Sequence, residues 1–218
     1  MAVNESSTDE QSALAAGPDG LLRCWWSAGS QEYIDYHDRE WGRPQLSDEA
    51  IFEHLSLESF QAGLSWAVVL RKRSAFRAAF NGFRPAVVAA YGPADRDRLL
   101  RDEGIVRNVR KIEAVVHNAA CALDISSEFG SLAAFFWSFR PQSWAAPRRR
   151  TDIPAISVAS QELAGELRRR GFKFLGPTTV HAHLQATGVI DDHVAGCCVR
   201  EAVEAEQAQA AAYLARHR

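Results

Sequence analysis

The sequence predicts an all-α fold, and three observations lead to this expectation. No run of residues alternates apolar and polar side chains with the period of two that is typical of a half-buried strand. Helix-starting residues recur along the chain, and a glycine that can end a helix follows most of them. The clearest start is residues 47–49 (SDE), an N-cap with acidic first-turn residues, followed by a helix whose apolar face includes Ile51, Phe52, Leu55 and Phe60.

The later helix boundaries are predicted from the same helix-starting residues and helix-ending glycines. Ser65 is expected to cap a helix that runs towards Phe80 and stops at residues 81–82 (NG). Further starts are expected at Pro85, Pro93, Ser131, Ser160 and Pro177, and further stops at Gly92, Gly104, Gly130, Gly171 and Gly188. Residues 140–159 hold three prolines and an arginine triplet, so they are predicted to form the longest irregular stretch.

The 218 residues suit one globular domain with tails. Residues 1–20 contain four acidic residues and no Lys or Arg, and are predicted to be a disordered acidic tail. The domain itself is expected over residues 21–199. Residues 200–218 are rich in Ala and Glu, and we interpret them as a loosely docked helical tail.

The composition bounds the environment and the partners. The hydrophobic fraction of 47% can bury a core, yet no stretch approaches the length of a membrane span and no secretory signal is visible, so a cytoplasmic protein without a membrane partner is expected. The net charge of −2 argues against a nucleic-acid partner at first sight. The acidic tail carries −4, however, so the remainder carries +2, with basic clusters at 71–73, 96–111, 148–150 and 168–173. Such clusters on one face could follow a phosphate backbone, whereas singly they are ordinary solvated surface.

Two Cys/His pairs form a candidate metal site. Twelve residues separate Cys24 from His37, and His193 lies four residues before Cys197, a spacing expected to put both on one face of a helical turn. Two Cys and two His can hold a tetrahedral ion with no open position, which is typical of a structural zinc site that would join the two ends of the fold. The spacing alone leaves the alternative open that these are core thiols and solvated histidines.

Aromatic residues concentrate near the start of the domain in a segment with little helical periodicity. The group comprises Trp25, Trp26, Tyr33, Tyr36 and Trp41. Glu58 and Trp66 follow, with Glu58 inside an apolar helix face where an unpaired carboxylate would be costly. Flat rings and a carboxylate are the parts that a purine pocket requires, although a hydrophobic core around a loop would use the same rings.

Two turns could contact DNA. Gly63 allows a tight turn that presents Leu64, and an apolar side chain at such a tip can enter a base stack; an interhelical turn with a buried leucine is the alternative. Residues 102–107 (DEGIVR) separate two helical patterns, and a helix N-terminus after a short hairpin can bind phosphate. Arg107, Arg110 and Lys111 stand at that N-terminus.

Five motifs, taken together, closely resemble the 3-methyladenine DNA glycosylase I family of the helix-hairpin-helix superfamily. They are C-x-W with YHDREWG, LESFQAGLSW, GIVRNVRKI, RRGFKFLGPT and DDHVAGC, and they cover residues from about 22 to 199 in order. The resemblance implies a two-lobed all-α fold with a base pocket between the lobes. It also implies a monofunctional enzyme that flips an alkylated purine out of double-stranded DNA and hydrolyses its N-glycosidic bond, starting base-excision repair. We expect a monomer associated with the bacterial nucleoid.

The resemblance also implies roles for individual residues. Cys24, His37, His193 and Cys197 would bind the structural zinc. Glu58 would hydrogen-bond the purine edge, and Trp66 would stack on the base. Trp26, Tyr33, Tyr36 and Trp41 would line the pocket. The DNA gap would be held by Gln61, Gly63 and Leu64, with Gly104, Arg107, Arg110 and Lys111 on the phosphates.

The chain departs from the family pattern at a few positions. His181 and His183 stand where Tyr and Phe are common, so they could alter the polarity of the pocket wall, or both could face solvent. Ser59 replaces a usual Gly, and Val109 a usual basic residue. Asp124 lies at the distance from the hairpin where other branches of the superfamily carry a catalytic Asp, but this family lacks that residue, and an exposed helix end is the favoured interpretation.

Two other functional classes remain open at this point. A catalytically silent binder of damaged DNA would share the zinc site, hairpin and aromatic residues. A hydrolytic metalloenzyme acting on small molecules is disfavoured, because no H-E-x-x-H motif or carboxylate-rich ligand set is present.

Overall fold

A computed structural model describes residues 12–217, and within them it contains eleven α-helices and one small β-hairpin. The hairpin pairs β1 (Leu14–Ala16) antiparallel with β2 (Leu22–Cys24). The helices are α1 (Gln31–Arg39), α2 (Asp48–Gln61), α3 (Trp66–Arg71), α4 (Arg73–Ala79), α5 (Pro85–Val88), α6 (Pro93–Arg101), α7 (Val109–Phe129), α8 (Leu132–Trp137), α9 (Val158–Arg169), α10 (Pro177–Ala186) and α11 (Arg200–Arg216). The all-α prediction is confirmed, apart from two strands of three residues each.

The helix ends follow local capping chemistry. The side chains of Ser47, Asn108 and Ser131 accept hydrogen bonds from first-turn N–H groups of α2, α7 and α8. The predicted starts at Pro85, Pro93 and Pro177 are confirmed. The start predicted at Ser160 is wrong by a few residues: Ser157 is the N-cap, and Ser160 completes a capping box with it.

Helix α2 is the centre of the fold. Every residue from Ile51 to Phe60 is buried, because α7, α8 and α10 pack around it. It also contacts α3, and through α5 and α7 it meets the half of the chain that carries the hairpin between α6 and α7. Polar side chains on α2 are therefore held in the interior, among them Glu58.

The aromatic segment contains a helix that the sequence analysis missed. Helix α1 begins after Ser30, whose Oγ accepts the N–H of Tyr33. Its buried residues are Ile34, Tyr36 and His37. Tyr36 and His37 are adjacent and point in directions about 100° apart, so the buried side of this helix is broad.

Both predicted tails need correction, although α11 begins at the predicted boundary, residue 200. Residues 1–11 of the predicted disordered tail lie outside the described residues, but Leu14–Ala16 is strand β1 and Ala13 is buried. The C-terminal helix α11 is firmly docked instead of loosely. It buries Val203, Gln207 and Leu214, and Gln207 bridges the carbonyl oxygen of Gly42 and the guanidinium of Arg140.

No helix between residues 12 and 217 combines the length and apolar character that crossing a bilayer would require.

Candidate functional site

A cavity of about 300 Å³ opens between the aromatic segment, α2 and α10. Its lining residues are Trp25, Trp26, Tyr33, Tyr36, Trp41, Glu58, Gln61, Trp66, Ile153, Ala182 and Gln185. All six residues predicted for the base pocket are among them, including the Glu58/Trp66 pair on which the prediction depended. The space is not filled by neighbouring side chains.

The aromatic rings brace one another around this cavity. Trp26 contacts three of the other rings. Its ring centroid lies 5.0 Å from that of Trp41, 6.0 Å from that of Tyr33 and 6.3 Å from that of Tyr36, with steep interplanar angles in all three pairs. Tyr36 lies 5.4 Å from Trp66 at 42°. These tilted contacts fix the rings relative to one another around the cavity.

Glu58 is the acidic group of the cavity. It is 7% exposed, and no side chain or backbone N–H within residues 12–217 hydrogen-bonds its carboxyl group. Burial raises its pKa to about 8, so the carboxyl group is mostly protonated at neutral pH in the free protein. Burial, together with the nearby Glu58, also raises the pKa of Tyr36. The indole Nε1 of Trp66 is a further buried polar atom without a partner among these residues.

Five residues of the cavity wall were not assigned to it from the sequence, and one of them, Gln61, was predicted at the DNA gap instead. Trp25 belongs to the aromatic group already noted. Ala182 and Gln185 lie three residues apart on α10, a spacing that places them on one helix face. Ile153 comes from the irregular stretch after α8, where no periodicity could have revealed it.

The two Cys/His pairs meet in one buried cluster that could bind a metal ion. One ligand atom from each of Cys24, His37, His193 and Cys197 lies within 4.8 Å of all the others. The Cys24 Sγ to His193 Nδ1 distance is 3.7 Å, and Cys197 Sγ lies 3.4 Å from His37 Nε2 and 3.6 Å from His193 Nδ1. A tetrahedral ion with metal–sulfur and metal–nitrogen bonds of about 2.3 and 2.05 Å would separate S from N by about 3.6 Å. The donor set therefore fits such an ion.

The groups around the cluster orient both imidazoles. His37 Nδ1 lies 2.7 Å from Asp38 Oδ1, which leaves Nε2 free to act as the ligand atom. His193 Nε2 lies 3.1 Å from the carbonyl oxygen of Trp41, which leaves Nδ1 as its ligand atom. Hydrogen bonds from the Cys24 thiol and the two imidazoles lower the pKa of the Cys197 thiol, which favours the thiolate that binds metals.

The local structure at His193 and Cys197 differs from the expected helical turn. These residues lie in a loop closed by the hydrogen bond from Cys197 N–H to the Val194 carbonyl oxygen. Gly196 has a φ of 89°, a conformation that favours glycine. A tight turn therefore achieves the convergence that a helix was predicted to provide.

The turn after α2 is exposed at the rim of the cavity. Gly63 adopts a φ of 84°, and Leu64 is 40% exposed at the tip. Gln61, at the end of α2, lines the cavity itself. The alternative of a buried interhelical leucine is thereby excluded.

The hairpin between α6 and α7 is built around Gly104. A Cβ at Gly104 would lie 2.8 Å from the Ala75 Cβ, and the Gly104 N–H donates to Asp102 Oδ1. Arg107 and Arg110 are exposed. Lys111 requires a correction, because its Nζ is buried and donates to the carbonyl oxygens of Phe60 and Ala62 at 2.8 and 2.6 Å. Its charge therefore stabilises the C-terminal end of α2 and is not available to phosphate.

The unusual histidines of α10 are buried and are not part of the cavity wall. His181 Nδ1 lies 3.2 Å from Ser157 Oγ, and the His183 ring packs against the edge of Phe136. Solvent exposure is excluded for both, and Ala182 and Gln185 supply the wall instead. Asp124 is exposed on α7 and does not line the cavity, as the favoured interpretation predicted.

Comparisons with known proteins agree on one family. A family model described as methyladenine glycosylase matches residues 25–201. The chain is 42% identical over 181 residues to DNA-3-methyladenine glycosylase 1 of Escherichia coli, covering 82% of this chain and 96% of that protein. It is 39% identical over 178 residues to DNA-3-methyladenine glycosylase of Haemophilus influenzae, covering 80% and 96%. The solved structure of 3-methyladenine DNA glycosylase I from Staphylococcus aureus superimposes with a TM-score of 0.77 at 36% identity, covering 80% of this chain and 94% of that one.

Proposed function

This chain belongs to the methyladenine glycosylase family, and we propose on that premise that it excises 3-methyladenine from DNA by hydrolysing the N-glycosidic bond. The observation that carries the proposal is the aromatic cavity with one buried, unpaired carboxyl group. Release of the base would start base-excision repair.

The cavity supports a mechanism based on selection of a positively charged base. Alkylation at N3 makes the purine cationic within the nucleotide, so the base is already a good leaving group and needs little acid catalysis. The faces of Trp66, Trp26 and Trp41, with those of Tyr33 and Tyr36, favour a cationic ring over a neutral one. The enzyme then has to flip the nucleotide, hold the base and admit water.

Glu58 responds to the charge of the base. Its carboxyl group is mostly protonated in the free pocket, since burial raises its pKa to about 8. A cationic purine beside it favours the ionised form, so binding releases the proton and creates a charge-assisted hydrogen bond to the purine edge. A neutral adenine offers no such charge and leaves the carboxyl protonated. Glu58 therefore discriminates the damaged base from the normal one.

The exposed turn and the hairpin would hold the duplex. Leu64, presented by Gly63 and flanked by Gln61, would enter the base stack and fill the gap that the flipped nucleotide leaves. The backbone around Gly104 and the side chains of Arg107 and Arg110 would contact phosphates. The nearby Lys111 ammonium is hydrogen-bonded to two carbonyl oxygens, so Schiff-base chemistry is not expected and the enzyme is monofunctional.

We further propose that the Cys/His cluster binds a single zinc ion with a structural role. Zinc suits two thiolates and two imidazoles in tetrahedral geometry, and the S-to-N separations of 3.4–3.7 Å fit that geometry. Cys24, His37, His193 and Cys197 would fill all four positions. The bound ion would hold β2 and α1 against the loop before α11.

The expected setting follows from the substrate. The partner is double-stranded DNA that contains an alkylated purine, and the protein would act as a monomer in the bacterial cytoplasm, in association with the nucleoid. Residues 21–199 would form the glycosylase domain, and the packing of β1 and α11 against it would stabilise the fold.

A base-release assay tests the proposal directly. Purified protein should liberate free 3-methyladenine from methylated duplex DNA, and Glu58→Ala or Trp66→Ala should reduce the rate by about 100-fold or more. Affinity for methylated DNA without base release would instead identify a silent damage binder. Full activity in both variants would refute the assigned pocket.

A further inference from the structure

Gln185 is the one polar residue of α10 in the cavity wall, within the described residues. Its side chain is half-buried and lies on the helix face that Ala182 also occupies. An amide in an aromatic pocket has a donor end and an acceptor end, and which end faces the ligand decides what the pocket recognises.

The buried carboxylate of Asp192 fixes the orientation of this amide. Gln185 Nε2 donates to Asp192 Oδ2 at 2.7 Å, and Trp144 Nε1 donates to Asp192 Oδ1 at 2.7 Å. Asp192 is 2% exposed. A carboxylate only accepts hydrogen bonds, so the NH₂ group of Gln185 must face it, and the reversed amide would set two oxygens against each other. The Gln185 side chain therefore has one preferred orientation.

The carbonyl Oε1 of Gln185 is what remains for a ligand. No group within residues 12–217 donates to it, and Gln185 borders the cavity. We infer that Gln185 Oε1 is a specificity-determining acceptor that binds the exocyclic 6-amino group of the purine and rejects a 6-oxo purine. This inference rests on the proposed function, since it concerns the base that the pocket admits.

The energetic reason for the discrimination is the cost of an unmatched polar group. A 6-amino purine gives Oε1 an N–H donor, whereas a 6-oxo purine sets one carbonyl oxygen against another. Sites that hydrogen-bond a substrate group reject analogues without it far more strongly than apolar walls do. Glu58 can ionise or stay protonated and so can accept or donate, whereas Gln185 is held in one state by Asp192.

Asp192 is therefore a positioning residue. It is also faced by His181, whose Nε2 lies 3.6 Å from Asp192 Oδ2 while Ser157 Oγ lies 3.2 Å from Nδ1 of the same ring. The carboxylate is thus enclosed by Gln185, Trp144 and His181. This enclosure holds the acceptor in place without any contact between Asp192 and the base.

The test compares two free 3-methylated purines, 3-methyladenine with an amino group at position 6 and 3-methylhypoxanthine with an oxo group there. Their dissociation constants can be measured from the fluorescence of the pocket tryptophans. The wild-type protein should prefer 3-methyladenine, and Gln185→Met should reduce that preference about tenfold, as expected for one lost hydrogen bond. Gln161→Met, at an exposed position on α9, is the matched control and should leave the preference unchanged.

A reciprocal exchange separates recognition from simple packing. In the double variant Q185E/D192N, the new asparagine can accept from Trp144 and donate to the new glutamate, which keeps an acceptor oxygen at the cavity. This protein should retain the preference for 3-methyladenine within about threefold, because the hydrogen-bond pattern facing the base is restored. Metal content is measured in parallel, since Asp192 precedes His193.

The outcomes are distinct. An unchanged preference in Gln185→Met, or a double variant that holds its metal but loses the preference, overturns the role of Gln185. If Gln185→Met does not fold, Gln185→Leu and the double variant decide the question by the same preference. Absence of base release by the wild-type protein would overturn the proposed function instead, and that is a separate measurement.

Discussion

The cavity and the Cys/His cluster share residues of the segment 24–41, yet they differ in whether their polar groups have hydrogen-bond partners. Adjacent residues of α1 divide between them: Tyr36 lines the cavity, and His37 joins the cluster. In the cluster every imidazole nitrogen has a partner, either another ligand residue or the oxygen atom of Asp38 or Trp41. In the cavity, the Glu58 carboxyl and the Trp66 Nε1 have no protein partner within residues 12–217.

The unpaired groups of the cavity border an open space, so a ligand that enters it could supply their missing partners. Until then an unpaired buried polar group destabilises the protein. The shared rings make the two regions dependent on each other, since Trp26 packs 5.3 Å from His37 and also forms the cavity wall. The cluster should therefore control stability, and the cavity should control activity at the expense of stability.

Loss of the metal should have the largest effect. Cys197→Ser removes one ligand, and we expect it to lower the free energy of unfolding by about 5 kcal/mol or more, because metal binding is coupled to folding. Metal analysis should find about one zinc per chain in the wild-type protein and little in the variant. Cys198→Ser changes the exposed neighbouring cysteine and is the control, with no expected loss. Equal stability of the two variants would contradict a structural metal site.

Glu58→Gln should stabilise the protein while it inactivates it. The pKa of Glu58 is raised from 4.5 to about 8, so its contribution to stability is intact below about pH 4.5 and is lost as the pH rises through 8. The variant should match the wild-type protein near pH 4.5 and exceed its free energy of unfolding by about 5 kcal/mol at pH 9. Denaturant unfolding across this pH range measures the difference. Glu162→Gln, on the exposed face of α9, should show no such trend.

Leu64→Ala should separate the cavity from its access to DNA. The side chain is exposed at the turn tip, so its loss should leave metal content and free-base binding unchanged. Base release from duplex DNA should fall about tenfold, because less apolar surface then fills the vacated stack. Release from single-stranded DNA should change little. A comparable loss on both substrates would assign Leu64 to the pocket and not to the gap.

Arg110→Ala should have the smallest effect on activity, and it should change neither the cavity nor the Cys/His cluster. If Arg110 contacts one phosphate, the variant should reduce the slope of log affinity against log salt by about one, with similar loss for damaged and undamaged duplex. A titration at several salt concentrations measures this slope. An unchanged slope would remove Arg110 from the phosphate contacts.

The sequence predicted those parts of the site that depend on residue type and order. The cluster and the six pocket residues were predicted from their motifs and their resemblance to the family, and the structure brings each set together. The sequence could not predict where individual side chains point in the folded protein. Lys111 is of a residue type that commonly contacts phosphate, but its ammonium group points inward and binds the end of α2.

The helices were predicted best where an N-cap residue is followed by an apolar face with helical spacing, as at the start of α2. Helix α1 was missed because it is short and polar, with only Tyr33, Ile34 and Tyr36 as apolar residues among its nine. Residues 140–159 gave no periodic pattern, so Ile153 could not be assigned to the cavity, and Gln185 required the position of Asp192 to be known. The sequence therefore could not predict which distant residue hydrogen-bonds a given polar side chain.

The bonds from Lys111 to the carbonyl oxygens of Phe60 and Ala62 have a mechanical consequence for the search along DNA. They anchor the hairpin-bearing helix α7 to the chain four and two residues before Leu64, which lies at the tip of the turn that Gly63 allows. If the hairpin and Leu64 contact DNA as proposed, the spacing between these two contacts would be set before any duplex binds. The duplex would then have to bend to fit this fixed spacing, at the lowest energetic cost where a damaged base is easily unstacked.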